Sequence, residues 1–330
     1  MKERFVYIDF IRALSIIGVI AIHTLSFSLG SSINLFIWNF LQFVVGAFVF
    51  CSGFVHSHYE SKFTSFPVIF SWYKKRAIRI LLPFYIYFCV HFLLFFFFPT
   101  FFTHFGLQKS FSYIVGSIFL YGGINASWLP LLFLQLTVLT PLLFLLNKKR
   151  ILWIYIICCV IVTAVGTLWF VPYSWYRGTM WIGWSLIFLL GILAPKIKST
   201  GKLFAGLTLL GTILSSFLLF LFSNFHHSIN FTDNKYPPNL YYLSYAVAGT
   251  SLLFLLSKKF IPVIPEWTYE YISKKSYSLF FIHYIVLDFI LNSFHRLGSL
   301  AIFIITVLIS LIISVAIDWI LFSSKSYIKI

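Results

Sequence analysis

The first long apolar stretch of the chain carries three side chains that can ionise: Asp9, Arg12 and His23. Such a group inside a membrane-spanning helix is costly and calls for a partner or a function. Asp9 and Arg12 are three residues apart and can pair on one helix face. Arg12 and His23 are eleven residues apart, which is about 1100° of rotation, only about 20° past three full turns. The spacing therefore predicts that Arg12 and His23 share a face, about 16 Å apart along the axis.

Both members of this pair also have a purely structural interpretation. Arg12 could anchor the helix at the membrane boundary by extending its guanidinium group to the headgroups. His23 could hydrogen-bond to a neighbouring helix. Because the two side chains lie on one face, we favour a functional role for both, with Arg12 near one membrane boundary and His23 deeper in the span.

A later apolar stretch carries His283 and Asp288, which match a short H-x4-D pattern known from soluble enzymes. Five residues place two helical side chains about 140° apart, so we discount the pattern. His283 alone remains a candidate cavity-facing residue, and its spacing links it to no obvious partner. The alternative is a polar contact between helices.

Four cations precede an apolar run that begins at Ile80, and they are Lys74, Lys75, Arg76 and Arg79. In one interpretation this cluster only fixes the orientation of the chain in the membrane. In the other it binds phosphates, to which arginine can make bidentate contacts. The phosphates would belong to lipid headgroups or to a nucleotide-like cosubstrate.

The composition identifies the environment of these groups. Hydrophobic residues make up 60% of the chain and charged residues only 10%, well below the roughly 25% of soluble domains. The net charge of +16 lies in short clusters between apolar runs, which argues against a nucleic-acid partner. The four cysteines form no CxxC pair, so we expect neither a disulfide framework nor a zinc site, and no metal.

A helix needs about 20 apolar residues to cross the hydrocarbon core of a bilayer. This length predicts an all-α, polytopic membrane protein with ten spans, near 5–27, 36–56, 80–99, 128–146, 151–170, 179–194, 203–222, 240–256, 277–295 and 298–322. The glycine-containing segment 110–124 is left open as a re-entrant piece, an interfacial piece or an eleventh span.

The basic residues predict the orientation. With both ends in the cytoplasm, 19 lysines and arginines, from Lys2 to Lys329, lie in inner segments, and only four lie in outer loops. Arg12, within the first span, belongs to neither group. This bias follows the positive-inside rule and supports an even number of spans. We expect a multi-pass protein of the cell membrane, most simply the bacterial plasma membrane, surrounded by membrane lipid.

Five segments, in this order, resemble motifs of the membrane acyltransferase-3 family. They are 8–14 with the downstream His23, 48–54, 76–85, 127–131 and 276–283, with Leu129 where the family commonly has an aromatic residue. The resemblance implies one acyltransferase-3-like transmembrane domain over residues 1–330. It also implies about ten helices, an acyl-CoA donor, an acceptor hydroxyl, and activity that depends on Arg12 and His23.

From this resemblance we expect a membrane O-acyltransferase that moves an acyl group, with acetyl as the expected group, to a hydroxyl of a cell-surface or lipid-linked carbohydrate. Acyl-CoA is its cosubstrate, and no cofactor is tightly bound. The donor phosphates would bind at the basic cluster, with Arg12 nearby. His23 would act as a general base or carry the acyl group itself, since a neutral imidazole suits either role.

Four further residues are expected to bind substrate: Trp128, Tyr236, Tyr241 and His283. The two tyrosines belong to an outer-loop run whose aromatic rings could stack on a sugar or form an interfacial belt. The alternative function is a polysaccharide exporter or flippase without acyl transfer, which dependence on acyl-CoA would exclude. The sequence does not indicate an oligomeric state.

Overall fold

The computed structural model describes residues 5–145, 149–168, 176–294 and 296–327, so Lys2 and Lys329 lie outside the described residues. The described chain forms twelve α-helices and no strand. The helices are α1 (Val6–Leu25), α2 (Ser32–Phe40), α3 (Val44–Ser57), α4 (Phe66–Phe97), α5 (Phe111–Ile118), α6 (Trp128–Leu145), α7 (Lys149–Leu168), α8 (Tyr176–Leu193), α9 (Thr200–Asn224), α10 (Leu240–Phe260), α11 (Glu266–Ser293) and α12 (Ser299–Tyr327).

Ten helical segments of the described chain are long and apolar enough to cross a membrane. One of them, Ser32–Ser57, comprises α2, a 3₁₀ turn and α3. Helices suit this environment because every backbone hydrogen bond is made within the segment, where no water is available. The predicted all-α fold and the ten spans are confirmed. The orientation of the termini stays a prediction.

The predicted starts of two spans were wrong. α4 begins at Phe66, with Pro67 in its first turn, rather than at Ile80, and α11 begins at Glu266 rather than near residue 277. The basic cluster is therefore part of α4 itself. Hydropathy marks only the stretch that hydrocarbon can cover, whereas lysine and arginine are good helix formers whose long side chains reach water from within a helix.

The segment 110–124 is not an eleventh span. α5 has only eight residues, or about 12 Å of helix against the roughly 30 Å of the hydrocarbon core. The chain then folds back, and the backbone N–H of Ile124 donates to Ser117 Oγ at 2.8 Å. Gly123 has φ +64°, and a Cβ there would lie 2.0 Å from Ser117 Oγ, so this turn requires glycine.

Six spans form the inside of the bundle, and four cover them. At least half of the residues are buried in the spans formed by α1, α2–α3, α6, α8, α10 and α11, whereas fewer than a third are buried in those formed by α4, α7, α9 and α12. α1 packs against α3 and α11. The first helix, with Arg12 and His23, therefore lies at the centre.

The position of α3 is fixed by a close contact with α8. A Cβ on Gly53 would lie 2.0 Å from the carbonyl oxygen of Phe188. Small residues let membrane helices approach to backbone contact, where dispersion forces are strongest. This contact sets the placement of Phe48 and Ser52, which α3 turns towards α1.

Candidate active site

One face of α1 is occupied along its length by Arg12, Ile16, Val19 and His23. Arg12 lines one cavity, and the other three line a second cavity further along the helix. The predicted shared face of Arg12 and His23 therefore agrees with the structure. The predicted pairing of Arg12 with Asp9 is confirmed at 3.9 Å, and Ser273 Oγ donates to Asp9 Oδ1 at 2.6 Å.

The cavity at Arg12, which we call the arginine cavity, has a volume of about 230 Å³ and is strongly basic. It is lined by Arg12, Arg76, Arg79 and Lys274, and no carboxylate is among its lining residues in the described chain. Arg76 Nη2 is buried and finds no hydrogen-bond partner among the described residues. A buried guanidinium N–H without an acceptor can donate a hydrogen bond to an oxyanion.

The other two residues of the basic cluster lie elsewhere. Lys74 and Lys75 are exposed and are not among the lining residues of the arginine cavity. The structure brings together only Arg76 and Arg79, because one helical turn separates them. Two residues of α3 that the sequence analysis did not select, Ser52 and the buried His56, also line the cavity.

The second cavity, which we call the histidine cavity, is small, with a volume of about 20 Å³. His23 lines it together with Trp128 and Tyr236, two of the predicted substrate-binding residues. His23 Nε2 lies 3.3 Å from the hydroxyl oxygen of Tyr284 on α11. If Nε2 carries the hydrogen and donates it to this oxygen, then Nδ1 has the free lone pair that a general base needs.

His283 was expected to have no obvious partner, and this expectation was wrong. Its ring centroid lies 5.1 Å from that of His23, because α11 packs against α1. Its Nδ1 hydrogen-bonds to the carbonyl oxygen of Leu279 at 3.0 Å, and its Nε2 is buried without a partner among the described residues. Asp288 instead pairs with His91 of α4 at 2.9 Å, so the two residues of the H-x4-D pattern serve different contacts, as expected.

A third opening, which we call the polar crevice, adjoins the histidine cavity at the end far from Arg12. It has a volume of about 510 Å³, and its described lining includes Asn125, Tyr176, Asp233, Asn234 and Asn239. Tyr236 lines both the crevice and the histidine cavity, and Phe48 lines both the histidine cavity and the arginine cavity. The arginine and histidine cavities thus both lie along α1, and the histidine cavity shares one aromatic lining residue with each of the other two spaces.

Comparison with known proteins agrees with this arrangement. The profile of a family described as an acyltransferase domain matches residues 5–319, almost the whole chain. The chain belongs to the acyltransferase-3 family. It is a multi-pass membrane protein of an acyltransferase family. No curated protein and no solved structure matches this acyltransferase.

Two of the four predicted substrate-binding residues line none of the three cavities: His283, which lies behind His23, and Tyr241, which lies further away. The ring of Tyr241 stacks on Phe231 at 4.8 Å, and its hydroxyl donates to the carbonyl oxygen of Ile229 at 3.2 Å. It lines an apolar cavity beside α9 and α10. Tyr236 and Tyr241 are five residues apart, and helix α10 begins between them, so the two side chains diverge.

The acyltransferase also holds a lysine that the sequence analysis counted only as an outer-loop charge. Lys235 is 5% exposed and lines the histidine cavity, and burial lowers the pKa of its ammonium group to about 7. The one sequence feature that could have indicated its place in the cavity is its position beside Tyr236 in an aromatic run. A loop lysine is exposed by default, so only tertiary structure could show that it is buried.

Proposed function

We propose that this acyltransferase moves an acetyl group from acetyl-CoA to a hydroxyl group of a cell-surface or lipid-linked carbohydrate. The observation that carries the proposal is a series of three neighbouring cavities, of which the first two lie along α1. The first is lined by cations, the second by His23, and the third by polar and aromatic side chains. A donor, a reaction centre and an acceptor each have a place of suitable chemistry.

The donor phosphates would bind at the arginine cavity. Arg12, Arg76 and Arg79 offer planar donor groups suited to phosphate oxygens, and the unsatisfied Nη2 of Arg76 gains an acceptor when the donor binds. Lys74 and Lys75, exposed nearby on α4, would add long-range attraction for the anionic donor. No tightly bound cofactor is required.

The size of the histidine cavity favours a short acyl group. A volume of about 20 Å³ holds little more than one water molecule or one methyl group. His23 acts there either as the general base that takes the proton of the acceptor hydroxyl at Nδ1 or as the group that carries the acetyl. Tyr284 would orient the imidazole through its contact with Nε2. His283 would pack beside His23, at a ring-centroid separation of 5.1 Å, and help to fix the position of the imidazole.

The acceptor would approach through the polar crevice. Its amide, hydroxyl and carboxylate groups match the hydroxyl groups of a sugar, and Tyr236 offers a ring on which a sugar can stack. Trp128 supports that ring edge to face, with a centroid separation of 5.1 Å. The charge bias supports an orientation in which the arginine cavity lies on the cytoplasmic side of the cell membrane, where acetyl-CoA is present, and the polar crevice lies on the outside.

The decisive experiment measures dependence on acetyl-CoA. Full-length protein in lipid nanodiscs is given acetyl-CoA, first with water as the acceptor and then with cell-surface glycan fragments, and released CoA is titrated with a thiol reagent. We expect slow CoA release that glycan accelerates and that His23→Ala abolishes. A protein that is folded but neither binds nor cleaves acetyl-CoA is not an acyltransferase of this kind, and the exporter or flippase would replace it.

A further inference from the structure

The acyl transfer proposed above assigns no role to Lys235, although its side chain lines the histidine cavity. Among the described residues that line the histidine cavity it is the only lysine or arginine. Its loop is well anchored, because Asn234 Nδ2 donates to the carbonyl oxygens of Ser228 and Asn230 at 2.8 Å each. The lysine is therefore held in the cavity by the local fold.

The surroundings of the ammonium group are aromatic and contain one acceptor. Nζ lies 6.0, 5.4 and 5.9 Å from the ring centroids of Trp128, Tyr236 and Tyr242. Its hydrogen-bond partner among the described residues is Oε1 of the buried Gln42, at 3.4 Å. Three aromatic faces can hold a cation, but an ammonium group has three N–H donors, and one long hydrogen bond leaves it under-coordinated.

No carboxylate of the described chain forms an ion pair with Lys235. Lysine is rarely fully buried unless it is paired, because desolvation of the charge is costly. The same desolvation lowers the pKa of this group to about 7. An under-coordinated, desolvated cation gains most from a negative charge that arises beside it, since the attraction between two charges is screened only weakly at a buried position.

We propose that Nζ of Lys235 binds the carbonyl oxygen of the transferring acyl group and stabilises the negative charge that develops on it, an inference that rests on the acyl transfer proposed above. His23 lines the same cavity and supplies the base. The cavity thus holds the two groups that addition to a carbonyl needs, one for the proton and one for the oxyanion.

The step balances as follows in the general-base route. The acceptor oxygen forms a bond to the carbonyl carbon, its proton passes to His23, and the carbonyl oxygen becomes the anion that Lys235 holds. Collapse of this adduct breaks the carbon–sulfur bond, and the CoA thiolate takes the proton from the imidazolium. If His23 carries the acetyl, each of the two additions passes through the same oxyanion.

The test uses Lys235→Met, which keeps most of the side-chain volume and removes the charge. Lys109→Met is the matched control, because it removes an exposed lysine that lies outside the three cavities. Acetyl-CoA with water as the acceptor is the probe. We expect kcat to fall about 10²- to 10³-fold in Lys235→Met, as on removal of one oxyanion donor, with KM for acetyl-CoA within about twofold of the wild-type value. Lys109→Met should match the wild type.

A folded Lys235→Met that turns over like the wild type overturns the proposal, and so does a loss that appears only in KM. Lys235→Gln, which keeps a polar contact to Gln42, serves as the second variant. Failure of both neutral variants to fold would assign Lys235 to the stability of the bundle and also overturn the proposal. If the wild-type protein is inactive with acetyl-CoA, the proposed acyl transfer itself is refuted. If the wild type and Lys235→Met are equally active, only the proposed role of Lys235 is refuted.

Discussion

The contact between α3 and α8 provides the sharpest test of the packing, through the substitution Gly53→Ala. The new Cβ would lie 2.0 Å from the carbonyl oxygen of Phe188, and real Cβ atoms essentially never approach within 3.0 Å. The two backbones must therefore separate by at least 3.0 − 2.0 = 1.0 Å. The obstacle is backbone and cannot rotate away, so we expect a cost near the upper end of the range for overpacking, about 2–3 kcal/mol.

Gly206→Ala on α9 is the matched control, because a Cβ there meets nothing within 4 Å. Both substitutions replace glycine by alanine within a helix and gain the same helix propensity, about 1 kcal/mol. The difference between the two variants therefore isolates the clash. Thermal unfolding in detergent, followed by tryptophan fluorescence, should show Gly53→Ala melting several degrees below Gly206→Ala.

The displacement of α3 should also disturb the active site, since Phe48 and Ser52 on α3 line the arginine cavity. We therefore expect Gly53→Ala to lose CoA release from acetyl-CoA, while Gly206→Ala keeps it. Equal melting temperatures in the two variants would refute the close approach of α3 and α8.

Four further predictions concern the site and the buried polar groups. His23→Ala should insert and fold normally, yet the rate of acyl transfer should fall at least about 10²-fold. His23→Asn keeps hydrogen bonding but takes no proton, so nearly full activity in His23→Asn would make His23 a structural contact. Changing Arg76 and Arg79 to Gln should weaken the binding of acetyl-CoA in equilibrium titrations and make that binding less dependent on salt. The same change at the exposed pair Lys74 and Lys75 should weaken binding less, and equal losses of affinity would contradict a specific phosphate site. His91→Leu or Asp288→Leu alone should cost about 1.5–3 kcal/mol, because each removes a buried hydrogen bond to a charged group, although Asp288 still accepts from the backbone N–H of His104 and His91 still contacts Tyr87. The double variant should cost less than the sum of the two, and additive costs would exclude the pairing. Finally, the pKa of Lys235 is lowered from 10.5 to about 7 in the folded protein, so the unfolded state binds more protons between these two pH values. The free energy of unfolding of the wild type should therefore rise with pH across that window, by at most about 5 kcal/mol. Lys235→Met should lack this rise.

The properties of single helices were predictable from the sequence. The ten spans follow from the length of apolar runs, since the hydrocarbon core demands about 20 such residues. The shared face of Arg12 and His23 and the pairing of Arg12 with Asp9 follow from the fixed rotation per residue. The same reasoning placed the starts of α4 and α11 too late, because it detects the lipid-covered part of a helix and not its basic extension.

Contacts between distant segments required the tertiary structure. His23 meets Tyr284, and His91 meets Asp288, across 261 and 197 residues of sequence. Lys235 enters the histidine cavity from a loop whose composition indicates only exposure, whereas Tyr241 leaves the site although it stands in the same aromatic run.

The physical reason lies in the solvent of this protein. Lipid is as apolar as the side chains, so hydrophobicity fixes which segments enter the membrane but does not determine which helix faces which. That choice depends on dispersion contacts at close range, such as the approach of Gly53 to α8, and on which polar groups find partners. The sequence by itself determined that Arg12 and His23 lie on one line along α1. Only the packing of α3, α4, α6 and α11 and the loop that carries Lys235 formed the arginine and histidine cavities along that line and the polar crevice beside them.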